Sequence, residues 1–350
     1  MGVLDSLVRA GGLSVSSLIT YSLITVVVTM VVSWIIKRQK MIAMIEKIPG
    51  PRAIPILGNA LEVNVEPREM FQQIIGYTHI WSQRVSLHRI WAGPFPMIST
   101  YTASNVEVIL SSNKHIDKSR DYNFLHPWLG TGLLTSTGSK WKSRRKTLTP
   151  TFHFKILEDF VDVFNVQASK LVTKLTPVAD GDVVNMFPFV TCATLDIICE
   201  TAMGVSPNAQ DHGDSEYVQA VYKLNSLIQK RQARPWLHPN ILFYLLGYGA
   251  QHDKCLNVLH GFTNKAIAQR KKIFNENKIA EKKEKEEDDI GKKKRLAFLD
   301  LLLDISDNGA NLSDLDIREE VDTFMFEGHD TTSAAISWSL YLIGANPEVQ

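Results

Sequence analysis

Leu18 to Ile36 is a run of nineteen residues without a charge, rich in Val, Ile and Leu. A run of that length and composition crosses a bilayer as one helix. Lys37, Arg38 and Lys40 follow it at once. By the positive-inside rule these cations stay on the cytosolic side and residues 1–17 form a short lumenal N-terminus. A cleaved signal peptide would have a shorter apolar region and a small-residue cleavage site, and neither is evident. A buried helix of a soluble protein is the plain alternative.

Residues 37–60 read as a basic and proline-rich linker. Ile48-Pro49-Gly50-Pro51 through Ile54-Pro55-Ile56-Leu57-Gly58-Asn59 is punctuated by Pro and Gly and cannot be helix. It predicts a stiff spacer between anchor and domain. Residues 61–350 then form the body of the protein. With 350 residues and 45% hydrophobic content the chain can bury a large core. A net charge of +1 gives no global reason to bind nucleic acid. Three Cys without a spacing pattern fit reduced thiols facing the cytosol rather than a disulfide framework.

Most of the body is helical in pattern. Glu66–Tyr77, a short helix from Ser104, Phe154–Leu175, Val183–Met203, Tyr217–Gln232, His252–Phe274 and Leu296–Ile305 carry three/four spacing. Arg84 to Tyr101 reads as two short strands around Ala92-Gly93-Pro94. The fold class is mainly α with a small β-sheet. Cys192 and Cys199 share an apolar face with Leu195 and Met203, so they read as packed thiols, and Cys255 has no partner pattern. Pro235–Gly249 reads as a turn region, whose Phe243, Tyr244, Leu245 and Leu246 would be core or touch lipid or a substrate entrance. Lys278 to Arg295 holds fourteen charged residues of eighteen, which predicts a solvated loop or frayed helix extension. Its Lys292-Lys293-Lys294-Arg295 could also be a localisation or lipid-contact patch.

The stretch that invites chemistry is Phe324-Met325-Phe326-Glu327-Gly328-His329-Asp330-Thr331-Thr332. It lies in a long helix opening at Ser313, with Asp316 completing a capping pattern. Val321, Phe324, Met325, Gly328, Thr332, Ala335, Ile336, Leu342 and Ile343 recur at helical spacing and predict one buried face. Gly328 costs about 1 kcal/mol against Ala in a helix interior. Its missing side chain would let something flat approach the backbone. Glu327 and Asp330 sit among apolar neighbours, where an unpaired charge is expensive. Thr331 can bond back to a carbonyl one turn earlier, and beside Asp330 it would make a hydroxyl/carboxylate proton route. A buried helix with a tolerated Gly and two solvent-facing acids fits the same pattern. Further back, Gly138-Ser139-Lys140-Trp141-Lys142-Ser143-Arg144-Arg145-Lys146 puts Trp141 and Arg145 on one helix face, where ring and guanidinium can hold a carboxylate. A basic surface helix with one packed Trp is the plain alternative.

Gly328-His329-Asp330-Thr331-Thr332 resembles the central-helix signature of the cytochrome P-450 monooxygenases. Phe326-Glu327-Gly328-His329-Asp330-Thr331-Thr332 is closer to one branch, the fatty-acid omega-hydroxylase family greatly expanded in insects, and Thr149-Pro150-Thr151-Phe152-His153-Phe154 resembles that branch too. The Pro-rich stretch after the anchor is similar to the hinge of the microsomal members, and Trp141-x-x-x-Arg145 to the family's haem-propionate helix. What the resemblance implies is a cytochrome P-450 fold behind one transmembrane helix, bound to haem. Trp141 and Arg145 would bond the propionates, with Arg144 a neighbour set aside. Glu327 matches the position that forms an ester to a haem methyl in many members. Gly328 would admit oxygen and substrate, and Thr331 with Asp330 would deliver protons during oxygen activation. The reaction would hydroxylate lipophilic substrates, such as fatty acids, terpenoid hormones or xenobiotics, with electrons from NADPH through a partner cytochrome reductase. The location would be the endoplasmic reticulum membrane, single-pass, with a cytosolic catalytic domain.

The family's Glu-x-x-Arg element and its Phe-x-x-Gly-x-Arg-x-Cys-x-Gly loop, whose Cys is the axial thiolate, are not found in these residues. The expectation is therefore an incomplete catalytic domain, 61–350, ending after the central helix and inactive alone. The alternative is a truncated, non-catalytic membrane-anchored protein.

Overall fold

A computed structural model describes residues 15–62, 64–178, 183–212, 215–284, 296, 298–307 and 312–350. The chain falls into two units, 1–111 and 112–350. The expected body from residue 61 is thus divided, its first helices and hairpin grouping with the apolar run.

In the first unit, helix α1 (Val15–Ile45) is outward-facing, and its most apolar eighteen residues have a mean hydropathy of 2.2. It is long and apolar enough to cross a membrane. The hydroxyls of Thr20, Thr25 and Thr29 each donate to the carbonyl four residues back, at 2.7–2.8 Å, so no polar group of theirs needs water. Helix α2 (Pro67–Ser82), strands β1 (Leu87–Ala92) and β2 (Phe95–Thr100), and helix α3 (Ala103–Leu110) follow. The strands pair antiparallel, from Leu87 opposite Thr100 to Ala92 opposite Phe95.

The linker, expected as a stiff spacer, has partners of its own. It is stitched to β1, whose open edge supplies unpaired backbone groups. Arg89 N donates to Pro49 O at 2.9 Å, Asn59 N donates to Trp91 O at 2.6 Å, and Trp91 N donates to Asn59 Oδ1 at 3.0 Å. The turn after α1 joins in, because Glu46 accepts from Arg89 at 2.6 Å and from the Trp91 indole at 3.2 Å. Arg38 donates to Pro94 O in the hairpin turn.

The second unit is helical among its described residues. Helices α4 (His126–Leu129), α5 (Gly138–Leu148), α6 (Phe154–Glu158), α7 (Phe160–Leu175) and α8 (Phe187–Ile198) are followed by a π-turn at Cys199–Met203. Then come α9 (Ala209–His212), α10 (Glu216–Ala233), α11 (Asn240–Leu245), α12 (Tyr248–Glu284), α13 (Phe298–Asp307) and α14 (Asp314–Ala345). The core is shared by α8, α10, α12, α13 and α14, through Leu195, Met203, Val221, Leu224, Leu259, Leu299, Leu302, Val321 and Met325. Cys192 and Cys199 are buried in it as small apolar groups, as expected, and Cys255 is buried too.

Three expectations shift. The stretch expected as one helix, Phe154–Leu175, breaks at Asp159 between α6 and α7. Pro235–Gly249 is not only turn, since Arg231 reaches across to Leu237 O at 3.0 Å and His238 O at 2.9 Å and lies over the Phe243 ring, organising α11. Within α11 and just after it, Phe243 is core, whereas Tyr244, Leu245 and Leu246 are exposed. Helix α12 runs on through Lys278 to Glu284. Residues 285–295, with the Lys292–Arg295 patch, lie outside the described residues, as do residues 1–14.

Candidate functional site

Helix α14 opens with the expected capping box. Ser313 Oγ accepts from Asp316 N at 3.2 Å, and Asp316 Oδ2 accepts from Ser313 N at 3.0 Å. Its buried ridge is Ile317, Val321, Met325, His329 and Ser333, every fourth residue. That ridge lies on α8 and the turn after it. Thr194 Oγ1 donates to His329 O at 3.0 Å, and Cys199 Sγ touches Met325 Sδ at 3.6 Å.

Gly328 has a different reason from the one expected. A Cβ there would stand 2.6 Å from Cδ1 and 2.7 Å from Cγ1 of Ile198. The side of Gly328 that lacks a side chain is closed by α8 and offers no flat ligand a way in. The glycine allows two helices to touch.

Glu327 is half-buried, and its carboxylate has no hydrogen-bond or ion-pair partner among the described residues. Burial pushes its pKa up and Lys118 draws it back in part. Thr331 is exposed, and its hydroxyl donates to Glu327 O at 2.7 Å, the bond one turn back that its position foretells. Asp330 is half-buried, and no hydrogen bond joins its carboxylate to Thr331 among the described residues. Neighbours on a helix point about 100° apart, so the expected hydroxyl/carboxylate pair is not formed directly. His329 is buried, donates from Nδ1–H to Met325 O, and is held below its ordinary pKa by burial.

On α5 the two arginines divide the work. Arg144 is buried and ion-paired to Asp316, and its Nε is 3.4 Å from Glu320 Oε1. Lys140, one turn earlier, pairs with Glu319 at 2.8 Å. The adjacent strip carries Trp141, half-buried, and Arg145, exposed and without an acidic partner among the described residues. The structure brings α5 onto α14 through Lys140 and Arg144, two to three turns before Glu327. It shows no direct contact of Trp141 or Arg145 with Glu327 or Thr331. A cleft of about 420 Å³ lies along the Lys140 strip, lined also by Ser143, Arg144, Thr147, Ile305, Leu312 and Asp316. It contains none of the six residues singled out from the sequence.

Sequence reasoning missed the acids of α14's first turns. Glu320 and Asp322 are fully buried and each is pushed up to about 7 by burial. Asp322 Oδ2 stands 3.7 Å from His260 and 3.8 Å from Arg318. Acids suit a helix N-terminus, so Arg318-Glu319-Glu320-Val321-Asp322 reads as an ordinary solvated start.

The profile of the family "Cytochrome P450" matches residues 48–350. Cytochrome P450 4c3 of Drosophila melanogaster is 53% identical over 319 residues, covering 90% of this chain and 60% of that protein. Cytochrome P450 4V2 of Homo sapiens is 51% identical over 350 residues, covering 99% of this chain and 66% of that protein. Cytochrome P450 4c21 of Blattella germanica is 43% identical, with 94% and 65% covered. The chain thus spans under two thirds of the length of these relatives. With the profile matched across nearly all of the chain after α1, and half of its residues shared with two of these relatives, the protein belongs to the cytochrome P450 family and is of their P450 4 type.

Proposed function

We propose that this chain is the anchored, haem-holding part of a monooxygenase that hydroxylates lipophilic substrates, fatty acids, terpenoid hormones or xenobiotics among them. The observation that carries the reading is the free Trp141/Arg145 strip. An exposed guanidinium with no carboxylate of its own, beside a half-open indole, suits a flat apolar ring that bears carboxylates. Glu327 adds an unpaired carboxyl raised by burial, which could join a haem methyl as an ester once that methyl has been oxidised by two electrons, the electrons going to dioxygen during turnover. These groups fit haem. Bound there, haem supplies the oxidising chemistry, in which dioxygen, two electrons and two protons put one oxygen atom into a C–H bond and release the other as water.

The chain's own residues then have definite tasks. Arg145 and Trp141 orient the cofactor through its propionates. Thr331 Oγ1, held by Glu327 O, keeps its lone pairs free to accept a proton and pass on its own. Asp330 replenishes it through solvent rather than by direct contact. Gly328 serves helix packing, and the site reads better without it as a ligand.

We place the protein in the endoplasmic reticulum membrane, with α1 as a single-pass anchor, the body cytosolic, and NADPH-cytochrome reductase as electron donor. The bond from Arg38 to Pro94 O ties the basic end of α1 to the hairpin of the same unit. The exposed Ile241, Leu245 and Leu246 around α11 suit a second lipid contact or a substrate entrance.

Haemin titration of the chain in nanodiscs, followed by its Soret band, tests the cofactor reading. Arg145→Ala should weaken binding at least about tenfold, as loss of a charge-assisted pair does. In a longer form that carries the Cys loop, haem should resist acid–solvent extraction after turnover if Glu327 forms its ester, and Glu327→Ala should release it. No saturable binding by the unmutated chain would end the reading. Sequencing the transcript beyond the Gln350 codon decides between a longer enzyme and a non-catalytic anchored protein.

A further inference from the structure

The segment between α4 and α5 lies against the backbone of α14. A Cβ at Gly132 would meet Thr323 Oγ1 at 2.6 Å and Glu319 O at 2.7 Å. Two acids of α14 bind this loop by its amides. Glu319 Oε1 accepts from Thr131 N at 3.0 Å, and Glu320 Oε2 accepts from Leu133 N at 3.0 Å. Thr135 Oγ1 closes the loop on Gly130 O at 2.8 Å. The same two acids hold the helix that follows. Lys140 Nζ donates to Glu319 Oε2 at 2.8 Å and to Thr131 Oγ1 at 2.6 Å, and Arg144 pairs with Glu320 and Asp316. Each glutamate therefore reads one loop amide and one α5 cation at once. Glu320 has no exposed surface and Glu319 very little, so water competes weakly for either.

Lys140 and Arg144 form one i,i+4 strip of α5, and Trp141 and Arg145 form the next, about 100° round the axis. Holding the first strip fixes the rotation of α5 and so the direction of the second. We propose that Glu319 and Glu320 are positioning residues, which set α5 so that Trp141 and Arg145 present to the cofactor's carboxylates without touching it themselves. This rests on the reading of α5 as the cofactor-holding helix.

The test uses the whole chain in nanodiscs, with Glu319→Gln, Glu320→Gln, Arg144→Met and, as a control on the same helix, Lys142→Ala. Two readouts need no haem. Amide exchange over 138–148 should accelerate at least about tenfold in the first three variants, with α12 unchanged. A nitroxide on Arg145→Cys should gain mobility in the same backgrounds, the native thiols being buried. Glu320→Gln with Arg144→Met should fall short of the sum of the two single effects, because the two changes share the Glu320–Arg144 pair. Haemin affinity should fall about tenfold in the acid variants and stay unchanged in Lys142→Ala. If α5 exchange and label mobility do not change, the clamp is refuted. If they change while haemin affinity does not, the acids are structural only and the positioning role is refuted. If the unmutated chain binds no haemin, the functional reading fails, while the label still decides whether the acids aim the strip.

Discussion

Glu320 and Asp322 give the chain a pH dependence that can be worked out residue by residue. Burial is the main cause of both shifts, to about 7 in each case. Leu133 N–H and Arg144 offset part of it for Glu320, and Thr263 and Arg318 part of it for Asp322. Unfolded, both acids ionise near pH 4. The folded chain keeps them protonated to about 7. Their contribution is therefore complete below about pH 4 and lost as pH rises to 7, on the order of 3 kcal/mol for each group. Asp316 and Asp211, lowered by their partners, lose stability only in stronger acid. His260 and His329, lowered by burial, act in the opposite sense below about pH 6.5. The measurement is thus a difference. Melting curves from pH 5 to 8 for Glu320→Gln and Asp322→Asn should run flatter than the parent's, and parallel curves would refute the assignment. The sequence marks Glu327 and Asp330 as the costly acids, yet these are half-exposed. Glu320 passed unseen because the cation that holds it, Arg144, comes from α5, far earlier in the chain, and Asp322 because its i,i+4 partner Arg318 makes it read as an ordinary surface acid. That Trp141 and Arg145 share one strip was legible from their i,i+4 spacing, whereas the pairing of Arg144 with Asp316 and Glu320 was not.

At the scale of elements, α14 was the most legible part of the fold, from its capping box to its helical spacing. Its contacts were not. The periodicity finds Gly328 on the apolar side, but only the approach of α8 shows that Ile198 occupies the space. Gly328→Ala therefore sets two effects against each other. Helix propensity favours Ala by about 1 kcal/mol. Overpacking against Ile198 costs about 1–3 kcal/mol, since two of its carbons stand under 3 Å from the new methyl. The expected result is a net loss of stability in urea unfolding, partly restored by Ile198→Ala. Stabilisation by the single change would mean that α8 yields freely. The linker taught the same lesson. Its Pro and Gly residues announce a non-helical stretch, but the edge of β1 that captures it is read from the strand and not from the linker.

On the scale of the molecule, the two halves of α14 stand in different surroundings. As far as Ser333 its ridge is sealed in the core. Beyond it Ile336, Trp338, Leu340, Tyr341, Leu342 and Ile343 are exposed, with Trp338 at 61% and Tyr341 at 65%. The sequence predicts Ile336, Leu342 and Ile343 as part of one buried face. Amphipathic spacing says that a face is apolar and cannot say what meets it. An apolar strip of this size on a protein surface binds hydrophobic dyes and drives self-association. In nanodiscs, where α1 is inserted, the 350-residue chain should still enhance the fluorescence of an anilinonaphthalene dye. Trp338→Gln with Leu342→Gln should lower that signal by at least about twofold and leave the melting temperature unchanged, because neither side chain belongs to the core. A melting temperature that falls with the dye signal would place these residues inside the packed structure, and a dye signal that ignores them would point to the exposed leucines around α11 instead.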